Sequence, residues 1–235
     1  MTLDRVISRH GIASRTVAAE WIHEGRVRVN STIERHEGRW IDLKRDHVEV
    51  DDREVSSVKK VYLMLNKPAN VVTSHGDPQG RRTVYDYLQG LAAWVFPVGR
   101  LDKDTSGLLL LTNDTDFGNR LTDPRSKVSK RYWAKVNAVI GDEELDRLRK
   151  GIEIEPGLVT RPCVINLLRT SEKYSWLEIT LTEGRNRQIR RMVEALGRQI
   201  IKLVRVQIGS LRLGELGVGK WRELTRVEVR QLRSK

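Results

Sequence analysis

Two periods of apolar residues divide the chain. Leu3, Val6 and Ile7 recur at helical spacing and predict a short helix ending at His10-Gly11. Ser14, a favoured N-cap, opens a second helix that carries Val17, Ala18, Trp21 and Ile22, with Gly25 just past its end. The period then changes. Arg26-Val27-Arg28-Val29-Asn30 alternates strictly, as a half-buried strand with both arginines on the wet face does. Asn30-Ser31 turns the chain, Trp40–Leu43 and Val48–Val50 predict two more short strands, and Asp51-Asp52 closes the second. Two helices and a small hairpin sheet of this length make a module able to fold alone.

Ser56–Lys60 reads as a polar linker. Val61–Leu65 opens a second unit as a buried strand running into Asn66-Lys67-Pro68. A polar loop, Ser74–Arg82, contains His75, and a helix starts near Thr83. A lone loop histidine is more often a surface residue than a general base. Further on, Phe117–Leu121 predicts a short helix, Ser129–Val136 a strand with Tyr132, Ala134 and Val136 on one face, and Glu143–Lys150 an amphipathic helix. Ile152–Ile154, Val159–Leu168, Trp176–Leu181, Ile200–Val206 and Leu211–Leu213 predict strands, and Thr225 with Glu228 a capping box for a last helix. Mostly strands with intervening helices imply an α+β fold.

The stretch Val98–Asp114 organises this second unit. A polar loop with Arg100, Asp102, Asp104, Thr105 and Ser106 stands directly before Leu108–Leu111, a run that predicts a strand buried on both faces. Asp102 would thus be presented from a loop anchored at a core strand, a rigid mount for one carboxylate. At this point an Asx-turn accounts for Asp102 or Asp104 equally well. A second concentration of polar chemistry is Glu183–Gly197. Ile189, Met192, Val193 and Leu196 form one helical stripe, while Arg187, Arg190, Arg191 and Glu194 gather on the other side, Arg190 toward its edge. Arginines at a helix start oppose its dipole, so Arg185 and Arg187 there are better explained by an anionic partner than by a solvated face.

Charge sharpens this. The net charge is +12 and the pI near 10.1, with arginine dominating. Through Lys60 there are 12 Lys/Arg against 11 Asp/Glu, a net of +1, leaving +11 for the remainder. A basic, arginine-rich surface points to a polyanion. The single cysteine excludes an internal disulfide and a cysteine-based zinc cluster. No apolar run nears the roughly 20 residues that span a bilayer, and no signal peptide is evident, so the expected setting is cytoplasmic.

Leu3–Arg15 followed by Gly25–Asn30 resembles the RNA-binding module named after ribosomal small-subunit protein four. That resemblance implies RNA-backbone contacts from Arg5, Arg9, Arg15, Arg26 and Arg28. Thr16 and Ser31 depart from its usual arginine and glycine. Three further blocks follow in order: Leu65–Pro68, Gly99–Leu108 and Gly184–Met192. Together with the preceding module they resemble a bacterial ribosomal-RNA pseudouridine synthase of the single-uridine group, across essentially the whole chain. Asn70 replaces a usual glycine, and Asn is the other residue that best tolerates positive φ.

The resemblance implies an RNA-binding module over residues 1–58 and a catalytic domain over 61–235, built on a mixed, mostly antiparallel sheet flanked by helices. It implies isomerisation of uridine to pseudouridine without cofactor or metal. Asp102 maps to the catalytic aspartate, Arg100 to the residue that fills the gap left by an extruded nucleotide, and Tyr132 to the tyrosine that stacks on the flipped base. Arg190 maps to the cation paired with the carboxylate, and Lys67, Arg185, Arg187 and Arg191 join the expected RNA contacts. The chemistry agrees: detaching uracil and rejoining it through carbon needs a nucleophile, and the base must leave its stack to be reached. A nearby cation favours the ionised, nucleophilic carboxylate. The expected partner is ribosomal RNA, the large-subunit RNA favoured, or an assembling ribosomal particle, acted on by a monomer with no membrane. The same chemistry on small-subunit RNA or tRNA, a nucleosidase, and a non-catalytic RNA-binding assembly factor stand as alternatives.

Overall fold

The computed structural model describes residues 1–55, 59–91 and 93–234. Of the expected linker Ser56–Lys60, the first three residues lie outside that set.

Helices Leu3–Arg9 and Arg15–His23 pack on a four-stranded antiparallel sheet in the order Thr32–Ile33, Val27–Val29, Val48–Val50, Arg53–Glu54. The Ser14 hydroxyl accepts from the Val17 amide at 3.1 Å and caps the second helix, and Gly25 follows its end at φ 79°. Asn30 and Ser31 both take positive φ, 53° and 67°, as do Asp51 and Asp52, 50° and 60°. Such pairs make tight hairpin turns whose twist matches the flanking strands. Trp40–Leu43 is not a strand: Trp40 forms one isolated bridge to Thr2 and is 74% exposed, so only Ile41 of that run joins the core. The hairpin partner is Thr32–Ile33, two exposed residues with no apolar alternation to announce them. Leu3, Val6, Ile7, Ala18, Ile22, Val27 and Val29 form a buried cluster of this region's own.

The remainder is built on a nine-stranded sheet. Its main path runs Val164–Thr170, Ser175–Leu181, Lys130–Val136, Ile200–Ile208, Thr105–Thr112, Tyr62–Lys67, Trp221–Glu223, with Leu211–Arg212 and Phe96–Pro97 attached to it. Every neighbouring pair is antiparallel except Thr105–Gly107 with Leu203–Arg205. Leu108 and Leu110 join one buried cluster and Leu109 and Leu111 another, so the leucine strand is buried on both faces. Helices Asp142–Lys150 and Gln188–Glu194 cover one face of the other half, over Ala134, Val136, Ile165, Leu177 and Ile179. The expected strand Val159–Leu168 is divided into Leu158–Val159 and Val164–Thr170. Pro162, which has no amide proton to give a ladder, lies at the break. The turn at Thr83 is 3-10, Val84–Tyr87, under the Thr83–Asp86 capping box. The last helix, Arg226–Arg233, starts at Thr225 with its Glu228 capping box in place. No helix among the described residues is long and apolar enough to cross a membrane.

Candidate active site

The loop before the leucine strand is fixed through its main chain. The Val98 amide donates to Leu110 O at 2.8 Å, and the Thr73 hydroxyl donates to Leu101 O at 2.9 Å. The Asn70 amide, from a residue at φ 63°, donates to Lys103 O at 2.8 Å, and the Thr105 amide to Asp102 O at 3.0 Å. None of these bonds uses the Asp102 carboxylate. It is half-buried and has no hydrogen-bond or ion-pair partner among the described residues, so the Asx-turn reading of Asp102 fails.

Lys67 supports the loop from beneath. Its side chain is fully buried, and its ammonium donates to the carbonyls of Pro68, Thr105 and Lys103 at 2.8, 2.9 and 3.2 Å. Burial pushes it down to about 8, against the pull of Asp104 and Asp102 and with a further push from Arg205. All three donors are engaged inside the protein, so Lys67 presents no charge to RNA, contrary to the sequence expectation.

Arg190 differs from expectation too. Only Gln188–Glu194 is helical, and Arg187 precedes it at φ 48°, so Arg185 and Arg187 belong to the loop before the helix. In this shorter helix Arg190 turns inward and is 8% exposed. It donates to Asp104 O at 3.1 Å and Ile200 O at 3.4 Å, and no ion pair joins it to Asp102 among the described residues. Burial pushes its guanidinium below the usual arginine range, Arg187 adds to this, and Asp104, Asp102 and Glu194 oppose it. It therefore ties the far end of the Asp102 loop to the strand Ile200–Ile208. Arg191 is engaged with Glu155 and with Ile154 O.

A cleft of about 410 Å³ opens between the loop Val98–Asp102 and the segment Thr182–Ile189, over Lys130, Tyr132 and Arg205 of the sheet. Arg100 and Arg187 are exposed at it with no side-chain partner among the described residues, while Arg185 pairs with Glu183 at 3.3 Å. The Tyr132 hydroxyl is likewise unengaged, and Asp104 does not line the cleft. Three contributors were missed in the sequence. Glu183 accepts from Gln188 at 2.6 Å and from the Arg161 amide at 3.0 Å, and so holds the far wall. Arg205, 3% exposed, donates to Leu108 O at 2.7 Å beside the place where its strand and the leucine strand stop pairing. Lys130 is pushed down by burial and by Arg205. A charged residue inside an apolar run, such as Arg205 in Leu203–Ile208, is the available signal for such a group.

Of the expected N-terminal contacts, Arg5 is exposed and unpaired among the described residues. Arg9 pairs with Asp116 at 3.1 Å, Arg15 with Asp4 at 2.6 Å, Arg26 with Asp51 at 2.6 Å and Arg28 with Asp52 at 2.9 Å. Apart from Arg15, whose partner Asp4 is buried, these pairs are exposed at both ends, and exposed pairs are weak. His75 packs against Tyr85 and is not part of the cleft.

One unshared carboxylate, a free phenol and several cations around a nucleotide-sized cleft suit nucleophilic chemistry on a polyanion. The family model of RNA pseudouridylate synthase matches residues 61–195. The chain belongs to that family. A second model, the S4 domain, matches residues 1–37. Among curated relatives, ribosomal large subunit pseudouridine synthase B of Bacillus subtilis is 42% identical, over 99% of this chain and 95% of that protein. An uncharacterized RNA pseudouridine synthase of Aquifex aeolicus is 41% identical, over 98% and 92%. A crystal structure of a pseudouridylate synthase superposes with a TM-score of 0.72 at 29% identity and covers 99% of both chains. The α+β fold, the N-terminal S4 module and membership among these RNA-modifying enzymes thus agree with the resemblance seen in the sequence.

Proposed function

We propose that this pseudouridine synthase isomerises single uridines of large-subunit ribosomal RNA, with Asp102 as the nucleophile. The observation that carries this reading is the free Asp102 carboxylate, held at a cleft by a loop whose main chain is fixed on both sides. A target uridine leaves its stack and enters between Tyr132 and the loop, and Arg100 at the rim takes its place in the RNA. The carboxylate adds to the sugar or the base, the bond from C1′ to N1 breaks, and the freed uracil turns. C5 then bonds to C1′, the carboxylate is released, and the C5 proton departs as N1 gains one. Tyr132 stacks on the base and its hydroxyl is available for that proton. Arg190 acts as a positioning residue, through Asp104 O, and adds a positive charge behind the loop.

Two features favour isomerisation over base release. Asp104, the second carboxylate a glycosidase pair would recruit, is outside the cleft, and Glu183 within it is engaged with Gln188 and Arg185. The large-subunit preference rests on relatives that are large-subunit pseudouridine synthases by name, such as the Bacillus subtilis protein. Residues 1–58 act in this reading as the RNA-gripping module and 61–235 as the catalytic domain of a cytoplasmic monomer. The substrate is named by tritium release from C5-labelled large-subunit, small-subunit and transfer RNA transcripts and from assembling particles. Release from large-subunit RNA, free or assembling, is expected. Release from small-subunit RNA or tRNA alone refutes the substrate assignment, and free uracil as product refutes isomerisation.

A further inference from the structure

Among the described residues, helices cover one face only of the half of the sheet that carries Tyr132. On its other face the cross-strand register aligns two rows. Asn166, Glu178, Trp133 and Val204 form one, and Arg169, Trp176, Lys135 and Lys202 the next. Trp133 is 44% exposed. Its Nε1 donates to Glu178 at 3.3 Å, and Arg131 approaches the same carboxylate at 3.6 Å, so the indole is anchored by its edge. Arg169 lies over Trp176 at 5.3 Å, and Lys135 over Tyr174 at 3.8 Å. Four cations therefore surround two tryptophans on adjacent strands, and Glu178 is the one acidic residue in the grid.

We propose that this open face is a second RNA site, which receives a single-stranded segment with a base stacked on Trp133 and phosphates on Lys135, Lys202 and Arg169. Charge and shape both select that occupant. An open antiparallel sheet face with aromatic side chains on neighbouring strands is a stacking platform for unpaired bases, and cations at its edge follow the backbone. A hydrophobic protein partner would have to desolvate Arg131, Lys135, Arg169 and Lys202 around the two indoles. The face lies on the side of the sheet away from Tyr132, so it would hold RNA flanking the target and add affinity without touching the reacting base.

The inference rests on the family's use of RNA and not on Asp102 chemistry, and its test is built accordingly. The probe is a fluorescein-labelled RNA of about twelve alternating adenosines and cytidines, within single-strand site sizes and lacking any uridine for the cleft. Anisotropy with the full chain should show Trp133→Ala binding about tenfold more weakly, the size of one lost stack. Lys135→Gln with Lys202→Gln should lower the slope of log affinity against log salt by about 1.4, as two lost single-strand phosphate contacts do. Unchanged affinity and slope in both variants, with native melting temperatures, overturn the proposal. Loss of binding only on Arg5→Gln assigns the probe to the N-terminal module and overturns it too. A wild-type dimer by light scattering that Trp133→Ala dissociates overturns it in favour of a protein interface.

Discussion

Lys67 is a buried cation that works by being unavailable. Its three carbonyl partners are Pro68, Lys103 and Thr105, so one ammonium joins the end of its own strand to the chain just after Asp102. Burial holds its folded-state value at about 8, below the 10.5 of a free lysine. The unfolded chain therefore binds more protons between those two values, and the contribution of Lys67 to stability rises as pH climbs through that window. Relative to Lys67→Met, the wild-type protein should gain up to about 3 kcal/mol between pH 7 and 10.5, read by denaturant unfolding. A pH-independent difference contradicts this. The placement of Asp102 on a loop anchored at the leucine strand was legible from its neighbours, because four leucines bounded by turn residues announce a buried strand. The role of Lys67 was not, since a lysine beside Asn66-Lys67-Pro68 reads as exposed until the strand proves to extend through Lys67.

The leucine strand and the strand Ile200–Ile208 meet in parallel over three residues at Gly107. There a Cβ would fall 2.3 Å from Arg205 O, and the backbone stands at φ 102°. Gly107→Ala must either push the two strands apart or strain both, and should cost roughly 3 kcal/mol or more, seen as a lower denaturant midpoint. A loss below about 1 kcal/mol shows that the strands already separate there. This contact joins the strand that follows the Asp102 loop to the strand of Arg205, so the variant should also lose activity in its folded fraction. The four leucines announced the strand, and the caps at Ser14, Thr83 and Thr225 announced their helices. The helix after Glu183 was overextended in the sequence because its arginines fit a polar face. Glu183, Gln188 and the left-handed turn at Arg187 delay its start, and that side-chain arrangement has no period to detect.

The two parts of the molecule meet at Asn113, which is fully buried. Its side chain accepts from the Val61 amide at 2.8 Å and donates to Lys59 O at 3.0 Å, and Gly11 of the first part packs against it. Lys60 donates to Arg9 O at 3.1 Å, and Arg9 pairs with Asp116. Asn113→Ala should leave the second part folded while the Val61 amide exchanges about tenfold faster and the scattering profile broadens. An unchanged exchange rate places the junction elsewhere. Most of the excess positive charge lies beyond Lys60, on the part that carries the cleft, and there the long-range attraction for RNA originates. In the proposed function this attraction delivers a uridine to Asp102. Its most direct test is single-turnover tritium release from C5-labelled large-subunit RNA by wild type and Asp102→Asn at equal RNA occupancy. Release by wild type with none from Asp102→Asn is the expected result, and measurable release from Asp102→Asn removes Asp102 from the role of nucleophile.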